Sequence, residues 1–89
     1  MLILTRKKGE AIFVGDDTII TFLGIRSGRF ALNIEIAGGS EVWVAGIEEK
    51  KAFPSDVDVF VIGYNYRSVA LGINAPAGVN IVREELKGR

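Results

Sequence analysis

Neither cysteine nor histidine occurs in the 89 residues. Their absence removes thiol nucleophiles, disulfides, imidazole general bases and the ordinary ligands of zinc. An all-oxygen cation site would need a carboxylate-rich loop, and no Asp-x-Asp-x-Asp-Gly pattern is present. Net charge is lacking as well: 11 basic side chains balance 11 acidic ones. That balance argues against a broadly basic, non-specific nucleic-acid binder. No apolar run approaches the roughly 20 residues of a membrane span. Met1–Leu4 is apolar but meets Arg6-Lys7-Lys8 at once, the reverse of the order in a signal peptide. No enzyme, cofactor, metal or membrane is therefore expected, and a cytoplasmic location is. What remains is apolar content of 48%, too high for a disordered chain, in a length that suits one compact domain.

The apolar pattern predicts strands. Leu2, Leu4 and Arg6 alternate with Ile3 and Thr5, and Ala11–Val14 is a short run closed by Gly15-Asp16-Asp17. Thr18–Ile25 is rich in Ile, Thr and Phe. Arg26-Ser27-Gly28-Arg29 reads as a hairpin turn, with Gly28 free to take positive φ. Phe30, Leu32, Ile34 and Ile36 share one face of the next strand, and Glu41–Ala45 alternates again. Ile47–Phe53 has helical character, and residues 48–56 are expected to form a helical turn and linker. Strands resume with Val57, Val59 and Val61, then Val69–Ile73 and Val79–Val82. Arg83–Lys87 could start a short C-terminal helix.

A shift of 39 positions aligns residues 20–34 on 59–73 without a gap. Gly24 meets Gly63, Ala31 meets Ala70, Leu32 meets Leu71 and Ile34 meets Ile73. The repeat predicts one domain made of two units. Residues 1–47 form a first unit with the opening strand, and 57–89 a partial second unit with the closing strand.

Charge is unevenly placed. Residues 1–8 carry three positive side chains and no negative one, and residues 83–89 are net +1. A basic strand edge with short polar groups suits single-stranded RNA, where arginine and backbone groups read base edges. The competing explanation is that these charges only keep a strand end solvated.

Met1-Leu2-Ile3-Leu4-Thr5-Arg6-Lys7-Lys8-Gly9-Glu10, followed by Ile12–Asp16 and Ile20–Gly24, resembles the opening of the carbon storage regulator (CsrA/RsmA) family. Ala70–Pro76 and Val79–Leu86 resemble that family's closing segments. The resemblance implies an all-β, antiparallel, crossed-sheet or barrel-like fold, normally built as a strand-swapped homodimer. It implies a bacterial regulator that recognises GGA in messenger-RNA leaders and modulates translation or message stability. Family RNA-binding positions carry over onto Leu4, Thr5 and Arg6 of the first strand, with Lys7 beside them. At the far end they carry over onto Ile81, Val82, Arg83 and Glu84. Val82 stands where the family often has His.

About thirty residues lie between the two matching halves. The repeat therefore suggests a monomeric pseudo-dimer in which Arg6 and Arg83 meet within one chain and make one RNA site. A homodimer of the 89-residue chain is the rival geometry. A symmetric dimer bridges two GGA motifs, and a one-site molecule cannot. Trp43 could stack on a base, but core or interface packing suits its surroundings better. Arg6 and Arg83 could alternatively pair with Glu10, Glu84 or Glu85. Partners would be GGA-containing RNA, with a protein or small-RNA antagonist as a further candidate. The other functional class to weigh is a protein-interaction module of this fold that has lost RNA binding.

Overall fold

The computed structural model describes residues 1–53 and 56–86. Nine strands follow in order: β1 (Leu2–Lys7), β2 (Ala11–Val14), β3 (Thr18–Arg26), β4 (Arg29–Ile36), β5 (Gly39–Ala45), β6 (Lys50–Phe53), β7 (Val57–Tyr64), β8 (Ser68–Asn74) and β9 (Ile81–Arg83). They form two antiparallel sheets, one ordered β1-β8-β7-β6 and the other β5-β4-β3-β2-β9. The chain is all-β, as expected.

Alternation explains the core. Phe30, Leu32 and Ile34 of β4, Val57, Val59 and Val61 of β7, and Val69, Leu71 and Ile73 of β8 are all buried. They face one another between the sheets with Ile12, Ile20 and Phe22. A side-chain period of two puts every second residue of a strand on the same face, so each strand contributes one row. The hairpin turns also follow local rules. Ser27 (φ 53) and Gly28 (φ 74) turn β3 into β4, and Ala37 (φ 49) and Gly38 (φ 85) turn β4 into β5. Two consecutive positive φ values match the right-handed twist of the strands they join.

Two expectations about local structure need correction. Lys50–Phe53 is a strand, not a helical turn and linker: Lys50 lies opposite Phe60 and Phe53 opposite Val57. A short run of helix-compatible residues has been overridden by the open flank of β7, which supplies a ladder, and by burial of Phe53. At the C-terminus, the helical segment among the described residues is one 3₁₀ turn, Glu84–Leu86. Pro54 and Ser55 of the expected linker, and Lys87 of the expected helix, lie outside the described residues.

The 39-residue correspondence extends well beyond the two aligned hairpins. β3–β4 and β7–β8 each carry a register shift at the same place, between Phe22 and Gly24 and between Val61 and Gly63. Upstream, Gly9 N donates to Phe22 O at 2.7 Å, and Glu48 N donates to Val61 O at 2.7 Å. Glu10 N donates to Lys7 O, and Glu49 N to Gly46 O. Leu4 lies opposite Leu71 on β8, and Trp43 opposite Leu32 on β4. β5 therefore occupies, in its sheet, the place that β1 occupies in the other. Val42–Ala45 falls at the end of the expected first unit, yet it is geometrically an opening strand. The repeating geometry pairs β1–β4 with β5–β8, and β9 stands outside it.

Candidate nucleic-acid interface

The two ends of the chain cross between sheets. β1 leaves its neighbour β2 and pairs with β8, from Leu2 opposite Ile73 to Lys7 opposite Ser68. β9 leaves β8 and pairs with β2, with Ile12 opposite Arg83, Phe13 opposite Val82 and Val14 opposite Ile81. Each is the last strand of its sheet. Each therefore has one side of its backbone outside any ladder, and the two ends are drawn together at one junction.

Arg6 makes that junction. Its Nη1 donates to Glu85 Oε1 at 2.9 Å and its Nη2 to Glu85 Oε2 at 3.1 Å. Nη1 also donates to the Ala11 carbonyl at 3.1 Å, and Nε to the Thr5 carbonyl at 2.7 Å. A planar guanidinium suits this two-pronged grip on a carboxylate. Glu84 adds a second link, since its Oε1 accepts from Ala11 N at 3.3 Å. Further along, Gly15 N donates to Asn80 O at 2.8 Å and ties the approach to β9 against the β2 turn.

The electrostatics agree with the geometry. The hydrogen bonds from Arg6 hold the Glu85 carboxyl down to about 2, helped by a backbone hydrogen bond and by the charges of Arg6 and Arg83. The Arg6 pKa is raised, chiefly by the hydrogen bond to Glu85 and then by the charges of Glu10, Glu85 and Glu84, against the opposing effect of burial. Arg6 is only 3% exposed, so its charge is satisfied inside the protein.

The expected site residues thus fall into two groups. Leu4 is buried in the core, and Arg6 is buried at the junction. Thr5 and Lys7 are exposed on β1, and Arg83 and Glu84 are exposed at the end of β9. Ile81 and Val82 are half-buried, and Ile81 packs against the core. Arg6 and Arg83 are related through Glu85, which one hydrogen-bonds and the other stabilises by charge. The Arg6–Glu85 pair was among the possible pairings, but its burial was not apparent. The Ala11 backbone, gripped by both Arg6 and Glu84, carried no signal in the sequence. Trp43 is partly buried and packs against the core, in keeping with the packing reading.

Among the described residues, no group of three or more acidic side chains is placed to hold a metal ion. No helix there is long and apolar enough to cross a membrane.

The chain is thus all-β, with its two end strands exchanged between sheets and clamped by an arginine–carboxylate fork. The global regulator protein family CsrA matches residues 1–52, more than half of the chain, and the chain belongs to that family. It is similar to the translational regulator CsrA of Hydrogenovibrio crunogenus, 49% identical over 35 residues, covering 39% of this chain and 50% of the relative. It is also similar to the translational regulator CsrA of Desulfovibrio desulfuricans, 40% identical over 43 residues, covering 48% of this chain and 55% of the relative. The chain spans about half the length of these relatives. No solved structure matches it significantly.

Proposed function

We propose that this protein is a post-transcriptional regulator, not an enzyme, that binds single-stranded or loop RNA at the β1–β9 junction. The target motif is GGA in messenger-RNA leaders, and binding there modulates translation or message stability in the cytoplasm. The observation that carries this reading is the clamped junction itself. It ties β1 to the turn that follows β9, with Thr5 and Lys7 exposed on the first strand and Arg83 and Glu84 exposed where the last one ends. Backbone donors and acceptors along an open edge can read the Watson–Crick faces of unpaired bases, and arginine can engage guanine. Lys7 supplies charge for phosphate. Leu4 and Arg6 act from beneath, by holding β1 and the β9 terminus in place, and Ile81 and Val82 set the course of β9.

An electrophoretic shift with a GGA hairpin tests the reading. The intact protein should shift the hairpin and leave a GGA-to-CCA control free. Arg83→Ala should weaken binding by about 1 kcal/mol or more without changing the circular dichroism spectrum, the size of one lost base contact. A folded protein that shifts neither RNA would favour the other functional class, a protein-interaction module of this fold that has lost RNA binding and modulates a true family member.

A further inference from the structure

The 39-residue correspondence generates a second junction, and its composition differs from the first. The counterpart of β1 is β5, and the counterpart of β2 is β6. In register, Leu4, Thr5, Arg6 and Lys7 become Trp43, Val44, Ala45 and Gly46. Ala45 is fully buried opposite Phe30, as Arg6 is buried opposite Val69. The guanidinium that grips the chain end at the first junction is therefore replaced by a methyl group at the second.

The strand it would grip is likewise absent among the described residues. β9 lies along β2, whereas β6 ends its sheet with no strand beside it among the described residues. The cause is local. β4 passes into β5 through Ala37 and Gly38 alone, which leaves no residues from which a closing strand could be made. By contrast, residues 75–80 carry the chain from β8 across to β9.

The vacant flank is also guarded. Where β2 has Ala11 and Ile12, β6 has Lys50 and Lys51. Lys50 pairs with Asp58 at 3.7 Å, and Lys51 reaches across to Glu41 of β5 at 3.4 Å. Lysines on an edge strand oppose the docking of another strand, including one from a second copy. The closing strand among the described residues, β9, is in turn already held by β2 of its own chain and, through Glu85, by Arg6.

We infer that the second junction is silent, so that the protein works as a monomer with a single RNA-binding surface and cannot bridge two motifs. This rests on the RNA reading above and fixes its stoichiometry. The preferred target is an RNA presenting one isolated motif. A two-motif RNA recruits two chains independently.

The decisive experiment combines sedimentation equilibrium of the free protein with native mass spectrometry of its complexes with two RNAs. One RNA carries a single GGA hairpin and the other carries two, joined by a flexible linker. The expected result is a free mass of one chain, 9.7 kDa, one chain per hairpin, and two chains on the double hairpin. The double hairpin should bind no more than about twofold tighter, the statistical factor. Bivalent engagement would instead raise affinity by ~10²–10⁴-fold. A gain of that size, one chain holding two hairpins, or a dimeric free protein would overturn the inference. Arg83→Ala separates the cases again: with one surface it weakens every complex, whereas a working second surface would leave a tight 1:1 complex behind. A monomer that binds neither RNA would overturn the RNA reading itself, and the single-surface inference with it.

Discussion

Arg6 and Glu85, separated by 79 positions, meet as a two-pronged hydrogen-bonded pair at 2.9 and 3.1 Å. The arginine is buried and the carboxylate half-exposed. Burial makes this pair unlike a surface ion pair, which typically contributes ~0–1 kcal/mol. Removing Arg6 loses the fork, frees the Ala11 carbonyl and opens space beneath β1. Arg6→Ala should therefore destabilise the fold by about 1–3 kcal/mol. Arg6→Lys should recover only part, because an ammonium group cannot make the planar double contact. Urea denaturation reads both, and an unchanged midpoint for Arg6→Ala would show that the clamp does not hold the chain end.

The same pair predicts a pH dependence. The folded carboxyl of Glu85 sits at about 2, below its ordinary 4.5. A carboxyl with a depressed folded pKa stabilises the fold once it is ionised in the unfolded chain. The contribution is thus complete above about pH 4.5 and is lost as pH falls towards about 2. Glu85→Gln lacks it at every pH. The stability gap between wild type and Glu85→Gln should be constant above pH 4.5 and shrink as pH falls towards 2. Comparing the two proteins cancels the other carboxylates. A gap that stays constant down to pH 2 would assign the stabilisation to something other than this ionisation.

Lys7 is exposed on β1 and has no ion-pair partner among the described residues. If it neutralises one RNA phosphate, Lys7→Ala should weaken binding to every GGA hairpin by a similar factor. It should also reduce the slope of log K against log salt by about 0.7, the value for one phosphate contact on a single strand. Filter binding from 50 to 300 mM salt measures it. An unchanged slope would remove Lys7 from the interface while leaving Arg83 in it.

The hairpins were legible because each carries an unbroken alternation: Phe30, Leu32 and Ile34 in one, Val57, Val59 and Val61 in the other. The shared side of Leu4 and Arg6 was legible for the same reason. The burial of Arg6 was not, since it depends on Glu85 arriving from the far end of the chain. β6 was hidden by Glu48-Glu49-Lys50-Lys51, whose composition suits a helix until β7 offers a ladder. The role of β5 was hidden more deeply. Between residues 2–10 and 41–49, the only identical pair is Glu10 with Glu49. Backbone hydrogen bonds, not side chains, carry that correspondence, and they cannot be read from residue types.

That correspondence makes its own prediction at Glu48. Gly9 turns β1 into β2 with φ +88, and its counterpart Glu48 does the same work with φ +63. Both amides donate to matching carbonyls, Phe22 and Val61. The left-handed region costs a residue with a Cβ roughly 1–2 kcal/mol, and glycine nothing. Against this, glycine loses about 0.5–1 kcal/mol more backbone entropy on folding. Glu48→Gly should therefore raise stability by about 0.5–1 kcal/mol, while Gly9→Ala should lower it. Glu48→Ala separates backbone from charge: it keeps the Cβ and so should not stabilise. Thermal or urea melts of the three variants decide the point. A Glu48→Gly protein no more stable than Glu48→Ala would mean that this turn is relaxed in its present conformation.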